Sequence, residues 1–510
     1  MKRQNSAILI PLLVIGVVML LRTAWICDDA FITLRTADNW VHGYGLTWNV
    51  SERVQTYTHP LWMFLLTAVY VFVRDGYAAA MLLSLLVSIA VIVVFLTINL
   101  DDWFSLLLGW GILFLSKAFL DYSTSGLENS LTHLLLLLFS IVLFRSEFPL
   151  KKGSFFLLAL LAGLAAFNRM DSILFIVPSI LYIFLRQHKN MRGFWTVAAG
   201  FSPFILWELF SIFYYGFPFP NTAYAKLNSG IPGGALLVQG MLYFFDSMMR
   251  DPITLVAIGI CIFLAIAISE TKIRLLASGI GLYLFYILYI GGDFMSGRFF
   301  SAPLFLSAII LARVVKDFQP PQKNIMAALV LLVGFLSSSS PLGYFVQPTA
   351  PAPAPSNGIS DERQFYYEAG GLFMLTHDLD MPHHNWAEQG KQFRAQGTPL
   401  TVQEAVGMRG YFAGPSVYVV DTLALGDPLL ARLNARLRDW RVGHYQRDLV
   451  DGYIETLETG ENQIKDSNLA RYYDKLKIII SGDLWSVERL KVIWAMNTGQ
   501  YDYLIADYTR

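Results

Sequence analysis

Charge is scarce in this chain. Of 510 residues only 38 are Lys or Arg and 38 are Asp or Glu, 15% in all, with formal net charge zero. Soluble chains carry about 25% charged residues. Only two cysteines are present, Cys27 and Cys261, both in or beside apolar runs, so no disulfide framework holds this protein together. There is no Gly-x-x-x-x-Gly-Lys phosphate loop, and residues 359–510 show no metal-ligand or nucleophile pattern. These absences exclude a disordered chain, a soluble enzyme of ordinary composition and a nucleic-acid binder that works through a basic surface.

Apolar sequence is abundant instead. Hydrophobic residues make up 55% of the chain and the mean hydropathy is +0.48. The charges are unevenly placed. Residues 1–340 hold 39 of them, whereas residues 341–510 hold 37, of which 21 are acidic. This asymmetry predicts a polytopic α-helical membrane part, 1–344, then a spacer, 345–358, then a soluble mixed α/β domain, 359–510. The spacer reads Gln347-Pro348-Thr349-Ala350-Pro351-Ala352-Pro353-Ala354-Pro355, and alternating proline favours extended backbone.

Met1-Lys2-Arg3 precedes an apolar run from Ala7 to Leu21 with no small-residue cleavage site after it, which predicts an uncleaved first span with a cytoplasmic start. Further runs of span length lie near 61–73, 77–98, 103–119, 129–144, 153–167, 172–185, 194–213, 252–268, 275–290, 299–312 and 325–337. Four basic clusters, Arg145/Lys151/Lys152, Arg186/Lys189/Arg192, Lys272/Arg274 and Arg313/Lys316/Lys323, separate pairs of runs. The positive-inside rule puts them in the cytoplasm. Segments 120–128, 168–171, 214–251 and 291–298, and everything after the last span, then lie outside. The region 61–98 must cross an odd number of times, so the total is odd, 11 or 13.

The informative polar residues gather at the outer ends of these runs. Asp28-Asp29 follows the first span, and adjacent carboxylates are costly to place at a bilayer surface. The loop continues through Arg35, Asp38, His42, Tyr44, Trp48-Asn49, Glu52-Arg53 and Tyr57-Thr58-His59-Pro60, groups that stack on sugars and bond hydroxyls. Other outer segments carry Gly126-Leu127-Glu128-Asn129, Asn168-Arg169-Met170-Asp171, Asn221-Thr222-Ala223-Tyr224-Ala225-Lys226 and Gly291-Gly292-Asp293-Phe294-Met295-Ser296-Gly297-Arg298. Singly, each is explained by local pairing, Arg169 with Asp171 or Asp293 with Arg298. Jointly, acids and cations at one membrane face suit a site for a lipid-linked, anionic substrate. In the last third, Ser416–Val420 predicts a strand, Gly426-Asp427-Pro428 a helix start, and His383-His384 a solvated loop.

These motifs, with Asp28-Asp29-Ala30-Phe31-Ile32 and Val419-Val420-Asp421…Leu425-Gly426-Asp427-Pro428, resemble the GT-C membrane glycosyltransferases. Within them they are similar to the mycobacterial terminal β-(1→2)-arabinofuranosyltransferase group and its bacterial relatives. The chain departs from the pattern at Thr58-His59-Pro60, where Ser-Pro is expected. The resemblance implies a GT-C fold of about 11–13 spans in a bacterial cytoplasmic (inner) membrane, N-terminus inside and C-terminal domain outside. It implies transfer of one sugar, D-arabinofuranose by analogy, from a polyprenyl-phosphate donor to an extracytoplasmic glycan or surface-protein acceptor.

Roles follow from the chemistry. An attacking hydroxyl must lose its proton, so Asp28 or Asp29 is the candidate base, Asp28 slightly favoured because it follows the span directly. The leaving lipid phosphate gains charge, and fixed cations stabilise it. Arg169, Lys226 and Arg298 are those candidates, with Tyr57 and His59 beside them. Glu128, Asn129, Asp171, Asn221 and Asp293 are expected to bind substrate or support the site. A divalent cation is an open possibility, with no residue set assigned to it. The rival reading is a polytopic transporter or flippase for a lipid-linked or anionic substrate, whose charges would lie mid-membrane on broken helices. Here they cluster at span ends.

Overall fold

The structure, a computed structural model, describes residues 2–99, 101–268, 270–339, 341, 343, 357–374 and 381–509, and for residues 2–7 the backbone only. Most of the Pro/Ala-rich spacer, and the side chains of Lys2 and Arg3, lie outside the described residues. The chain divides into two compact units.

The first unit comprises Met1–Cys27, Ala80–Phe204 and Gly234–Met381 and is helical. Its organising element is the helix Arg298–Asp317, whose most apolar stretch is 83% buried. A helix apolar on every side belongs in the middle of a bundle. Helices Trp103–Leu115, Asn129–Arg145, Pro252–Ala267 and Thr271–Ile290 pack around it. The surrounding spans Met170–Gln187 and Thr271–Ile290 are only 33% and 39% buried, because their outer sides are apolar surface suited to lipid.

Among the described residues, four helices are long and apolar enough to cross a bilayer alone. Up to eight crossings result if four bent helix pairs each count as one, and Pro60–Val73, Asn129–Arg145 and Lys152–Asn168 are shorter apolar helices. The run 103–119 is one such bent pair. Trp103–Leu115 ends at Ser116, whose hydroxyl caps a second, buried helix, Lys117–Ser123, at 74° to the first. Lys117 is nearly unexposed and pairs with Asp121 and, at 2.9 Å, with Asp361.

Part of the segment 214–251, expected as a plain outer connection, forms the helix Gly233–Arg250. It turns 109° from Pro252–Ala267. Leu237, Val238, Met241, Leu242, Phe245, Met248 and Met249 are exposed, while Gly240, Tyr243, Asp246 and Ser247 are buried. This is helical amphipathicity with the apolar face outward, so charge counting alone passed over it.

The second unit comprises Asp28–Ala79, Ile205–Gly233 and Pro382–Arg510. The compact units therefore do not follow the expected 344/359 boundary, because the polar loop after the first span and the Asn221 region pack with the C-terminal residues. The sheet has two parallel strands, Leu400–Gln403 and Tyr418–Asp421, with Leu400 opposite Tyr418. The crossover between them contains the short helix Gly407–Ala413. The Ser416–Val420 expectation overlaps the second strand. The helix start at Asp427 is a short 3-10 turn, Leu430–Arg432, with Asp427 Oδ1 accepting from the Leu429 and Leu430 amides. His384 caps the helix Asn385–Ala395 by accepting from Trp386 N at 3.2 Å.

Candidate functional site

Two groups of the candidate residues form, one in each unit. In the first unit, Glu128 stands at the N-terminal end of helix Asn129–Arg145 and Arg169 at the C-terminal end of helix Lys152–Asn168. These helices pack together, and Asn168 fixes their register by donating to the Glu128 carbonyl and to Thr132 Oγ1 at 2.9 Å. Arg169 donates to Glu128 Oε1 at 2.6 Å and clamps Asp171 through Nε (2.8 Å) and Nη2 (2.5 Å). The bidentate fork holds the guanidinium in one plane.

Arg298 reaches the same Glu128 oxygen, 3.3 Å away. It is delivered by a tight reversal after helix Thr271–Ile290, in which Gly291 and Gly297 have φ of +83° and +80°, conformations disfavoured for residues with a Cβ. The reversal brings Asp293 Oδ2 to 3.6 Å from Arg298. It is anchored by Tyr243 OH on the Met295 carbonyl, Tyr122 OH on the Ser296 carbonyl and Ser296 Oγ on Asp246. Glu128, Arg169, Asp171, Asp293 and Arg298 thus make one network, two cations held by three carboxylates, with Glu128, Asp293 and Arg298 buried and Arg169 and Asp171 half-buried. Asn129 is buried beside Glu128, its amide oxygen lacking a hydrogen bond among the described residues. Charges this deep are tolerable because each is paired, and the pairing holds the guanidinium groups in place.

The second unit contains the acid pair. Asp28 is buried, and its carboxylate accepts from Gly407 N at 3.0 Å and Met408 N at 2.7 Å. Glycine is required at 407: a Cβ there would come 1.9 Å from the Asp28 carbonyl oxygen. Asp29, its neighbour, is half-buried. Both lie in the first turn of helix Asp28–Val41, where carboxylates are favoured by the helix dipole.

That helix is locked by Arg35, whose importance no local sequence signal gave. Its guanidinium is buried. It donates to the carbonyls of Trp48 (2.8 Å), Gly410 (2.5 Å) and Val417 (2.8 Å) and lies 4.6 Å over the Trp48 ring. Desolvation lowers its pKa to about 9. Asn49 bonds both Glu52 and the Val419 backbone.

The remaining candidates in this unit have structural contacts. Tyr57 is buried with its hydroxyl 2.9 Å from that of Tyr215. His59 is buried, with Nε2 2.8 Å from Thr33 Oγ1, and precedes Pro60 at the start of helix Pro60–Val73, a favourable place for proline. Asn221 donates to the carbonyls of Ala424, Leu425 and Asp427 and accepts from Arg432 at 2.7 Å. Lys226 is half-buried in the last turn of helix Asn221–Leu227. Its charge, after burial and Arg441, contributes to depressing the His444 imidazole to about 3. Among the described residues no group of three or more His, Cys, Asp or Glu side chains is arranged to hold a metal ion.

No protein-family model matches the chain. It is 26% identical to the terminal β-(1→2)-arabinofuranosyltransferase of Mycobacterium tuberculosis, over 84% of this chain and 82% of that one. It is 27% identical to the enzyme of the same name from Corynebacterium glutamicum, over 56% of this chain and 47% of that one. Among solved structures, ArnT from Cupriavidus metallidurans bound to undecaprenyl phosphate superposes with a TM-score of 0.51 at 12% identity, covering 82% of this chain and 87% of ArnT. The shared fold, together with sequence similarity along most of the chain to the terminal β-(1→2)-arabinofuranosyltransferases, identifies it as a membrane glycosyltransferase with a GT-C type fold.

Proposed function

We propose that this enzyme transfers a single pentofuranose, D-arabinofuranose, from a polyprenyl-phosphate donor to a glycan or surface protein outside the cytoplasmic membrane. The observation that carries the reading is the similarity, over 84% of the chain, to an arabinofuranosyltransferase. The fold shared with ArnT, whose structure holds undecaprenyl phosphate, supports a lipid-linked donor.

In this reading the acceptor hydroxyl attacks the anomeric carbon, its proton passes to an aspartate, and the bond from the anomeric carbon to phosphate oxygen breaks. Asp29 is the better base of the pair. Burial raises the Asp28 carboxyl to about 6, but its two backbone N–H bonds engage its oxygens and fix its position. Asp28 then acts as the residue that orients the turn carrying Asp29. The departing phosphate gains negative charge, and Arg169, Arg298 and Lys226 are its proposed cationic partners. Glu128, Asp171 and Asp293 keep the two arginines in place before the donor arrives, so little reorganisation accompanies the reaction. Asn129 is proposed to support Glu128 in the first unit, and Tyr57, His59 and Asn221 to support the second unit around Asp29 and Lys226.

The direct test uses the purified protein in proteoliposomes with synthetic prenyl-phosphoryl arabinofuranose and an oligosaccharide acceptor. A product heavier by one pentose is expected. Donor hydrolysis and transfer both absent with arabinose but present with a hexose donor would overturn the sugar assignment. Movement of donor across the bilayer without transfer would overturn the transferase reading for this substrate.

A further inference from the structure

The C-terminal helix Val487–Asn497 buries one face, Arg489, Val492, Ile493, Ala495 and Met496. Its other face is unusual for a water-facing helix. Val487, Leu490 and Trp494 lie along it at helical spacing, and Trp485 stands just before it. Trp485 is 77% exposed and Trp494 70% exposed. Isolated exposed apolar residues need no explanation, but a contiguous stripe with two tryptophans does.

The stripe is continuous with the apolar helix Ser202–Tyr214. Within the second unit, that helix exposes Ile205, Leu206, Leu209 and Ile212, a lipid-facing composition in a segment that forms half of a candidate span. Arg489 donates to the Phe213 and Tyr214 carbonyls at 2.7 and 2.8 Å, satisfying backbone acceptors at that helix end. The Trp485 ring lies 4.9 Å from that of Phe213. The stripe therefore begins where an apolar span ends. Tryptophan prefers that depth, its ring in the apolar boundary and its N–H among headgroups.

We propose that helix Val487–Asn497 is a membrane-surface anchor, with Trp485, Leu490 and Trp494 seated in the headgroup layer of the leaflet at the Tyr214 end of helix Ser202–Tyr214. The occupant of the face is lipid. Lys491 on the same face extends its ammonium toward phosphate groups. The inference does not depend on which sugar is transferred, and rests on Ser202–Tyr214 lying in the bilayer.

The test places a nitroxide label on the full-length protein in phosphatidylcholine–phosphatidylglycerol nanodiscs, one position at a time: Leu490→Cys, Trp494→Cys and Val487→Cys. Leu206→Cys is the lipid reference and Glu461→Cys the aqueous one. Cys27 and Cys261 are buried, and uptake by unmodified protein gives the background. Collision with oxygen and with a water-soluble nickel complex is then compared. The expected result at 490 and 494 is a shift toward oxygen, away from the Glu461→Cys value. Nickel accessibility equal to Glu461→Cys at both positions would overturn the proposal. So would inaccessibility to both reagents, which means that protein covers the face. Val487→Cys decides if one variant fails to fold, and an aqueous Leu206→Cys would overturn the bilayer placement itself.

Discussion

The Asp28 carboxylate accepts a 2.7 Å hydrogen bond from the amide of Met408, a residue 380 positions further along the chain. The start of helix Asp28–Val41 is thereby tied to the first turn of helix Gly407–Ala413. The adjacent acid, Asp29, is turned to a less buried position. Two neighbouring aspartates of identical chemistry have been given different surroundings.

We predict that Asp29→Asn lowers transfer by about 10²–10⁴-fold, the usual range for loss of a general base, with donor binding and thermal stability near wild type. Asp28→Asn should lower stability as well as turnover, because an amide nitrogen cannot accept from the 407–408 backbone. Gly407→Ala should imitate Asp28→Asn, since its Cβ displaces the Asp28 backbone. Turnover, donor binding and unfolding midpoint are measured for each. If both Asn variants keep more than about a tenth of wild-type activity, neither aspartate is the base.

Arg298→Ala and Lys226→Ala should impair donor use, each by about 2–4 kcal/mol of barrier. Steady-state kinetics with varied donor concentration measure this, and turnover within about threefold of wild type for both would refute the role. Glu128→Gln is a different experiment. It removes the counter-charge shared by Arg169 and Arg298, leaving them only Asp171 and Asp293, and should cost at most about 3–5 kcal/mol of stability. A folded, equally stable Glu128→Gln protein would show that the network is not what holds Arg169 and Arg298.

The second unit should lose stability as pH rises. Burial raises Asp421 to about 7 and Asp427 to about 6, and burial together with Asp427 raises Glu52 to about 8. A carboxyl with a raised folded-state pKa favours folding fully below its unfolded value. That contribution is lost as pH climbs through the folded value. The loss should fall between about pH 4 and pH 8. Thermal unfolding across this range should show a falling midpoint, and Asp421→Asn should flatten the slope while lowering the midpoint at acid pH. Buried His444, held at about 3, acts in the opposite sense below about pH 6.5, so a midpoint that rises from about pH 6.5 to 8 would contradict the direction.

The basic clusters between spans predict a cytoplasmic N-terminus and an outer C-terminus. A periplasm-dependent phosphatase fused after Arg510 should be active, and a cytoplasm-dependent reporter at the same point should be silent. The reverse pattern would place the proposed site on the wrong face for an extracytoplasmic acceptor.

The sequence alone determined which segments are apolar enough for a bilayer and which polar motifs sit at their ends. Hydropathy and charge are properties of consecutive residues, so Gly76–Ile98 or Thr271–Ile290 could be read directly. It also carried enough ordered motifs to show the resemblance to membrane glycosyltransferases. Helix breaks were less legible. The run 103–119 looks continuous, yet Ser116 interrupts it by capping the next helix, and the apolar face of Gly233–Arg250 is diluted by its buried Gly, Ser and Asp. Tertiary structure decided the partners. Glu128 meets Arg169 across 41 positions and Arg298 across 170. Arg35 finds its carbonyl acceptors at Gly410 and Val417, and Asn221 closes the 424–432 turn. A carboxylate or guanidinium has the same local sequence whether it is a base, a counter-ion or a backbone tie. Only the groups that folding brings within about 3 Å of it separate those roles.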